Sequence, residues 1–170
     1  WTVVSAINGG TLDFTGLTVT LPGAAPRWSY TTSASALTIV YKSDPLIAED
    51  APDPLVLPAV NLLVGPFSTN ATFHLTNAGG MPLTVSSITP STSIFTVAPT
   101  ALVLAAGATT DIQVTFTPDA AGTFLETLSI VHDGTNTASP LVVNLRGAAT
   151  ATGATWSDNS GGLLTLPQIN

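Results

Sequence analysis

Residues 71–147 read ATFHLTNAGGMPLTVSSITPSTSIFTVAPTALVLAAGATTDIQVTFTPDAAGTFLETLSIVHDGTNTASPLVVNLRG, and apolar residues recur in them at alternate positions. Ala71, Phe73 and Leu75 alternate with polar residues until the turn-forming run Asn77-Ala78-Gly79-Gly80. Such alternation is typical of a β-strand with one buried face. It returns at hairpin spacing in Ile112/Val114/Phe116, Phe124/Leu128/Ile130 and Leu141/Val143/Leu145. The stretch therefore predicts an antiparallel β-sandwich in an all-β chain.

The alternation also predicts which side chains form the core, because a strand turns every second residue to the same face. A register shifted by one residue would expose the whole set, so the core is a strict test of the strand assignment. The predicted core consists of Phe73, Leu75, Val85, Ile112, Val114, Phe116, Leu128, Ile130, Val143 and Leu145.

Three segments carry a resemblance to a known family: TFHLTNAGGMPLTVSSITP, FTVAPTALVLAAGATTDIQVTFTPDAAGTFLETLSIVHD and LVVNLRGAA. They resemble the abnormal-spindle/hydin-type (ASH) Ig-like domain, the group that includes the choice-of-anchor D repeats of bacterial surface proteins. The resemblance covers residues 54–148, and its most specific pieces are Leu75–Gly79, Val114–Pro118 and Ala121–Phe124. It implies a scaffold without catalytic residues. Glu126 departs from the family pattern, because it has the parity of the apolar residues around it.

The composition indicates a secreted protein at the cell surface. Charged residues are only 8% of the chain, with 3 Lys plus Arg against 10 Asp plus Glu and a net charge of −7. A neutral, hydroxyl-rich surface is unlike that of a typical cytosolic domain. Nucleic acid and anionic membranes require clustered Lys and Arg, so neither is a predicted partner. We also expect no membrane insertion, since the apolar runs are short, and no disulfide, since the chain has no Cys.

The chain divides into four predicted parts. Residues 1–41 form a small β-rich unit, 42–53 a Pro/acidic linker, 54–148 the sandwich, and 149–170 a flexible segment with a strand-like tail. The linker assignment rests on the run Lys42–Pro54, which contains three prolines and four acids. Proline stiffens such a segment by fixing φ and removing backbone donors. Because the chain begins at Trp1 without Met, we interpret it as a processed product or part of a longer protein.

The N-terminal unit shows short strand candidates at Trp1–Val4, Leu12–Phe14, Leu17–Leu21 and Ala36–Tyr41. Gly-rich and Pro-Gly turns separate them. The pattern WTVVSAINGGTLDFTGLTVTLPG resembles the end of the β-helical passengers of autotransporter-like surface proteins. This second resemblance implies the same extracellular location.

Residues suited to catalysis or metal binding are sparse. His74 and His132 are the only histidines, and neither has a second ligand at a useful spacing. No Gly-x-Ser-x-Gly elbow is present. We therefore predict that the chain is not an enzyme, that it has no catalytic or metal residues, and that it needs no cofactor. Weak Ca²⁺ binding by the acids of the linker is the alternative to their solvating role; these acids are Asp44, Glu49, Asp50 and Asp53.

Three further features have a binding interpretation beside a structural one. Trp1, Trp28 and Trp156 could stack on sugars, but large aromatics beside strands more often cover the end of a core. Asn70-Ala71-Thr72 matches the N-glycosylation pattern. The run Asp133–Asn136 predicts a hairpin loop in which Gly134 supplies a positive φ, although an exposed loop can also contact a ligand.

We interpret the chain as an extracellular structural protein, the building block of a cell-surface fibre, layer or matrix. The alternative is an adhesin or carbohydrate-binding module on the same scaffold, with glycans as partners. For self-assembly, we expect the Trp156–Asn170 tail or the Trp1–Tyr41 unit to pair with an edge strand of the next copy, giving a head-to-tail filament by strand complementation. The predicted assembly residues are Trp1, Val3, Trp156, Leu163, Leu164 and Leu166. In the competing arrangement, the tail folds back and completes a sheet of its own domain.

Overall fold

The computed structural model describes residues 2–5, 28–33, 36–153, 156–157 and 163–164. These residues form strands, turns and loops and contain no helix, so the all-β prediction is confirmed. Within this described part of the chain, there is accordingly no helix that could span a membrane.

The N-terminal unit is an antiparallel sheet of β1 (Thr2–Ser5), β2 (Trp28–Ser33) and β3 (Ala36–Tyr41), with β3 in the middle. The strand predicted at Ala36–Tyr41 is present, and β1 lies one residue beyond the predicted Trp1–Val4. Strand β2 was missed, although its Trp, Tyr and Thr residues are strand formers. The strands predicted at residues 12–14 and 17–21 lie outside the described residues.

The run Lys42–Pro54 is not a linker, which corrects the sequence prediction. Ile47–Glu49 form strand β4, and Ile47 is 3% exposed within the sandwich core. The chain then crosses to the opposite sheet, where β5 (Leu55–Val56) and β6 (Val60–Asn61) form. Burying one Ile side chain contributes about 2 kcal/mol. This burial brings the acidic run into the sandwich, which begins at Ile47 rather than at residue 54.

The remaining strands complete two facing sheets, with bounds β7 (Thr69–Asn77), β8 (Leu83–Pro90), β9 (Phe95–Ala98), β10 (Leu102–Leu104), β11 (Thr109–Phe116), β12 (Gly122–His132) and β13 (Leu141–Thr150). The β7 sheet has the order β4-β7-β11-β9. The β13 sheet has the order β10-β8-β12-β13, with β5 and β6 both parallel to β13. β13 runs past the predicted boundary at residue 148, because Ala149 is still buried.

The predicted core is confirmed, since all ten of its side chains are at most 5% exposed. The structure adds residues from strands of two to four residues, which are too short to show alternation. It also adds two residues of β8: Leu83, which has the parity of the predicted Val85, and Ile88. Ile88 has the opposite parity, because a register shift between Val131 and His132 of the neighbouring β12 changes which positions of β8 are buried. The core residues not predicted are Ile47, Leu55, Leu57, Val60, Leu83, Ile88, Phe95, Leu104 and Ala149.

Phe116 lies at the centre of an aromatic group that joins the two sheets. Its ring stacks on Phe95 at a centroid distance of 4.8 Å and meets Phe124 edge-on at 5.5 Å. On the opposite sheet, Gly147 leaves room for this ring, because a Cβ at that position would lie 2.7 Å from the Phe116 ring carbons. The glycine in the LVVNLRG segment is therefore required by packing.

Asn77, at the end of β7, is fully buried and ties three loops together. Its Oδ1 accepts hydrogen bonds from the backbone N–H groups of Leu46 and Gly79, at 3.4 and 2.9 Å. Its Nδ2 donates to three backbone carbonyls at 2.8–3.1 Å, those of Met81, Leu104 and Ala105. Residues 42–54, called the crossing segment from here on, run past Gly79 so closely that a Cβ on Gly79 would overlap the Asp44 carbonyl oxygen. The Asn-Ala-Gly motif is thus the point where that segment docks.

Candidate functional site

The predicted assembly residues lie in two separate sheets. Val3 is in β1, whose pairing with β3 is irregular between Thr2 and Val4. Trp156 is in β14 (Trp156–Ser157) and pairs with Leu164 of β15 (Leu163–Leu164), while Leu163 pairs with Ser157. Trp1 and Leu166 lie outside the described residues.

The tail strands β14 and β15 pair only with each other among the strands that the structure describes. In the part of the tail that the structure describes, no strand adds to a sheet of the sandwich. A two-residue antiparallel pairing is at best marginally stable in water without further strands. Residues 151–153 follow β13, the last strand of the sandwich, on the way to this hairpin.

The outermost strands of the sandwich are all short. β4 and β10 have three residues, β9 has four, and β5 and β6 have two each. Pro99 follows β9 directly and removes a backbone donor at the end of that edge. Short edges and prolines are two of the ways in which proteins prevent strand addition.

The first half of β7 is an exception, because β4 covers only its second half. β4 pairs with residues 75–77, and the crossing segment keeps contact as far as His74, whose carbonyl accepts the Asp50 N–H at 3.3 Å. Backbone groups on one side of a strand belong to alternate residues. The N–H and C=O of Asn70 and Thr72 therefore point to the same side as those of His74, where no described strand pairs with them. This open edge, Thr69–Phe73, has no proline, lysine or bulge.

A second open edge belongs to β2. Its six residues pair with β3 on one side, and Ser29, Tyr30, Thr31 and Thr32 are exposed. No described strand pairs with its other side. The edge is free of charged residues and proline, so nothing in its sequence opposes the addition of a strand.

His74, which the sequence placed on the solvent face of β7, is exposed and paired with two acids. Its Nδ1 lies 2.7 Å from Asp50 Oδ2, and its Nε2 lies 3.4 Å from Asp111 Oδ1. The hydrogen bond that the Asp50 carboxylate accepts from the imidazole, and then the charges of Asp50 and Asp111, raise the pKa of His74. The pKa of Asp50 is lowered, first by the backbone N–H of His74, which donates to it at 2.6 Å, and then by the imidazole. The pair attaches the crossing segment to β7 beside the open edge.

The loop Asp133–Asn136 is held by hydrogen bonds to neighbouring strands. Asp133 Oδ1 accepts the Thr84 N–H at 2.8 Å, and the Asn136 side chain bonds both backbone groups of Ile47. Gly134 does not have the predicted positive φ. It is needed for close approach instead, since a Cβ would lie 3.1 Å from the Ile47 nitrogen. The loop therefore holds β4 against the sandwich.

His132 ends β12 and is 7% exposed. Its Nδ1 accepts the Gly134 N–H at 3.1 Å, and its Nε2 has no hydrogen-bond partner among the described residues. Within the same part of the chain, no group of three or more His, Asp or Glu side chains is arranged to hold a metal ion. The acids of the crossing segment make bonds within the protein: Glu49 accepts the Ala51 N–H, and Asp53 accepts a hydrogen bond from Asn144 Nδ2.

The sequence and the fold both have counterparts among known proteins. A model of the HYDIN/CFA65/VesB-like Ig-like domain matches residues 64–148. Comparison with curated proteins gives no match. Among solved structures, the chain is similar to ASH/PapD-like domain 7 of human CEP192, with 11% identity, a TM-score of 0.53, and coverage of 80% of this chain and 96% of that one.

Two further solved structures are similar over smaller parts of their chains. A Porphyromonas gingivalis protein of unknown function has 14% identity and a TM-score of 0.50, with coverage of 69% of this chain and 59% of that one. The VesB protease of Vibrio cholerae has 15% identity and a TM-score of 0.43, with coverage of 60% and 31%. At such identities, the CEP192 and P. gingivalis likenesses describe a shared fold and do not assign a function.

Proposed function

The chain belongs to the HYDIN/CFA65/VesB-like Ig-like domain family, and from this premise we propose that it is a non-catalytic structural protein of the cell exterior. The ASH resemblance of the sequence is thereby confirmed. In this proposal the chain is a building block of a cell-surface fibre, layer or matrix. Its copies join by β-strand pairing between subunits.

The observation that carries the proposal is the open edge Thr69–Phe73. Two residues there, Asn70 and Thr72, direct four backbone groups away from the β11 ladder, where no described strand meets them. An added strand would continue the β7 sheet from the point where β4 leaves it. Main-chain hydrogen bonds of this kind supply affinity without requiring a particular side chain.

The donor strand comes from one of the two terminal units. The tail hairpin has only two paired residues per strand, so opening it to donate a strand costs few hydrogen bonds. In the N-terminal unit, β2 offers a longer edge that is ready to pair. Either contact joins different surfaces of two copies, and such a heterologous contact gives an open filament when its rotation does not close a ring.

The extracellular location rests on composition. Only 8% of the residues are charged, and the exposed positions of the long strands are mostly Ser, Thr, Asn and small residues. The non-catalytic role rests on the internal use of the titratable groups, because His74, Asp50 and Asp53 all bond within the sandwich.

A proline at the open edge tests the proposal. Thr72→Pro removes an N–H that points away from β11, so the intramolecular ladder loses no bond and the melting transition should stay close to that of the wild type. Assembly, followed by light scattering and electron microscopy against protein concentration, should be lost. Deleting residues 154–170 then identifies the donor: loss of polymer assigns the tail, and retention assigns the N-terminal unit.

Val97→Pro is the matched control. Val97 lies on β9, at the other edge of the β7 sheet. The backbone groups of Ile94 and Thr96 point towards β11, so those of Val97, the next residue in the alternation, point away from it, as those of Thr72 do. This variant should assemble normally. If Thr72→Pro assembles as well as Val97→Pro, or if the wild type stays monomeric and binds glycans saturably, strand pairing at this edge is ruled out.

A further inference from the structure

The outer face of the β13 sheet is uncharged except for one cation. Leu125, Arg146 and Val56 lie side by side on β12, β13 and β5, because Arg146 pairs with Leu125 on one side and with Val56 on the other. Leu125 is 71% exposed and Val56 is 56% exposed. Val103, Val131 and Val142 are also exposed on the outward positions of this sheet. No Asp or Glu occupies an outward position on β8, β10, β12 or β13.

Several acids border this face, including Asp133, which bonds Thr84 of β8, and Glu49, which lies beside Val142 and Asn144. The one that is bonded to β13 next to the Arg146 row is Asp53. Its carboxylate accepts a hydrogen bond from Asn144 Nδ2 at 2.8 Å, and Asn144 precedes Arg146 by two residues on β13. The Asp53–Asn144 row and the Val56–Arg146 row are therefore neighbours on the same face. Residues two apart on a strand are separated by about 7 Å. Arg146 itself makes no ion pair among the described residues.

From this arrangement, we propose that the outer face of the β13 sheet binds the same face of a second copy of the chain. In this dimer, a two-fold axis lies in the plane of the interface and runs perpendicular to the strands, between the Asp53–Asn144 row and the Val56–Arg146 row. The axis places β13 of one copy antiparallel to β13 of the other. Each Arg146 then meets the Asp53 row of the other copy, so two symmetric ion pairs lie on either side of the axis, and Leu125 and Val56 flank each Arg146 within its own row. Arg is one of the residue types enriched where interface contacts are strongest.

The area of the face suits a weak dimer. Its strands have two to eleven residues each, and at about 4.8 Å spacing and about 3.3 Å per residue they cover on the order of 500 Å². Two copies would bury about 1,000 Å² together, which is the lower limit for a specific interface. This contact is isologous and closes at two copies, so it differs from the strand pairing proposed above. Together the two contacts would join filaments side by side.

Sedimentation equilibrium of the full chain tests the dimer. Leu125→Asp and Arg146→Asp should each raise the dimer Kd about tenfold or more. Val64→Asp is the matched control, because Val64 is 64% exposed and lies in the turn after β6, outside the strands of this face. It should leave the Kd unchanged. All substituted residues are exposed, so the melting temperature should not move.

The charge swap is the decisive measurement. Asp53→Arg alone should weaken the dimer by placing Arg opposite Arg, and Arg146→Asp/Asp53→Arg should restore the Kd to within about threefold of the wild type. Measuring the series again in Thr72→Pro separates this contact from strand pairing, since the dimer should persist there. The proposal is overturned if the wild type is monomeric at about 1 mM, or if Leu125→Asp and Val64→Asp change the dimer Kd equally. It is also overturned if the charge swap does not restore the dimer, or if the monomer binds glycans or lipid vesicles through this face.

Discussion

Replacing Asn77 tests how the crossing segment is held. In Asn77→Ala, two deeply buried groups lose their partners, the Gly79 N–H and the Leu104 carbonyl. Each buried group left without a hydrogen bond costs about 1–3 kcal/mol, so the free energy of unfolding should fall by about 2–6 kcal/mol. The bonds to Leu46, Met81 and Ala105 are only partly buried, and their loss contributes less because water can replace them.

Urea unfolding followed by tryptophan fluorescence and far-UV circular dichroism measures this change. Asn144→Ala is the matched control, since Asn144 is exposed and makes one side-chain bond, to Asp53; it should cost less than about 1 kcal/mol. Asn77→Asp separates hydrogen bonding from volume. It keeps the size and the acceptor, but it places an oxygen against three carbonyls and should be at least as destabilising as Ala at neutral pH.

The reasoning is refuted if Asn77→Ala lies within about 0.5 kcal/mol of Asn144→Ala, or if Asn77→Asp is as stable as the wild type. Either result would mean that the buried amide bonds do not hold the loops together. The crossing segment would then depend on Ile47 burial alone.

Two further predictions follow from the core and from the exposed ion pair. Phe116→Ala should lower the free energy of unfolding by about 3–5 kcal/mol. Phe67→Ala is the control, because this side chain is 61% exposed and its loss should cost less than about 1 kcal/mol. Equal losses of stability in the two variants would contradict the central position of Phe116. By NMR titration, the pKa of His74 should lie above its ordinary value of 6.5 and should fall towards it in Asp50→Asn. The contribution of His74 to stability is present below pH 6.5 and is lost as the pH rises through the raised pKa of His74. The contribution of Asp50 is present above pH 3.8 and is lost as the pH falls through the lowered pKa of Asp50. An unchanged His74 pKa in Asp50→Asn would show that the two groups are not coupled in solution.

Alternation alone was enough to predict the long strands of the sandwich. Four of these strands, β7, β11, β12 and β13, have eight to eleven residues each. Their buried positions recur every second residue, a period that a strand has and a helix does not. Nine of the ten predicted core residues lie on these strands and were correct for this reason; the tenth, Val85, lies on β8. The turn and strand-end motifs were sufficient to assign the family.

The short elements could not be predicted in this way, because their burial depends on partners far away in the chain. Ile47 stands in an acidic, proline-rich run that locally favours a solvated linker, and only the bonds of Asn77 and Asn136 and the surface of the β7 sheet make it part of the core. A bulge in the β8–β12 pairing likewise changed which residues of β8 are buried.

The candidate interaction surfaces were decided by tertiary structure as well. The sequence indicated strand-like ends and unprotected edges, but which edge stays open depends on where β4 ends against β7. The row of Leu125, Arg146 and Val56 joins residues from three strands, up to 90 positions apart in the chain, through sheet register. Local sequence determines which face of a strand is apolar, whereas the neighbours across a sheet are set by long-range pairing, which a single sequence does not contain.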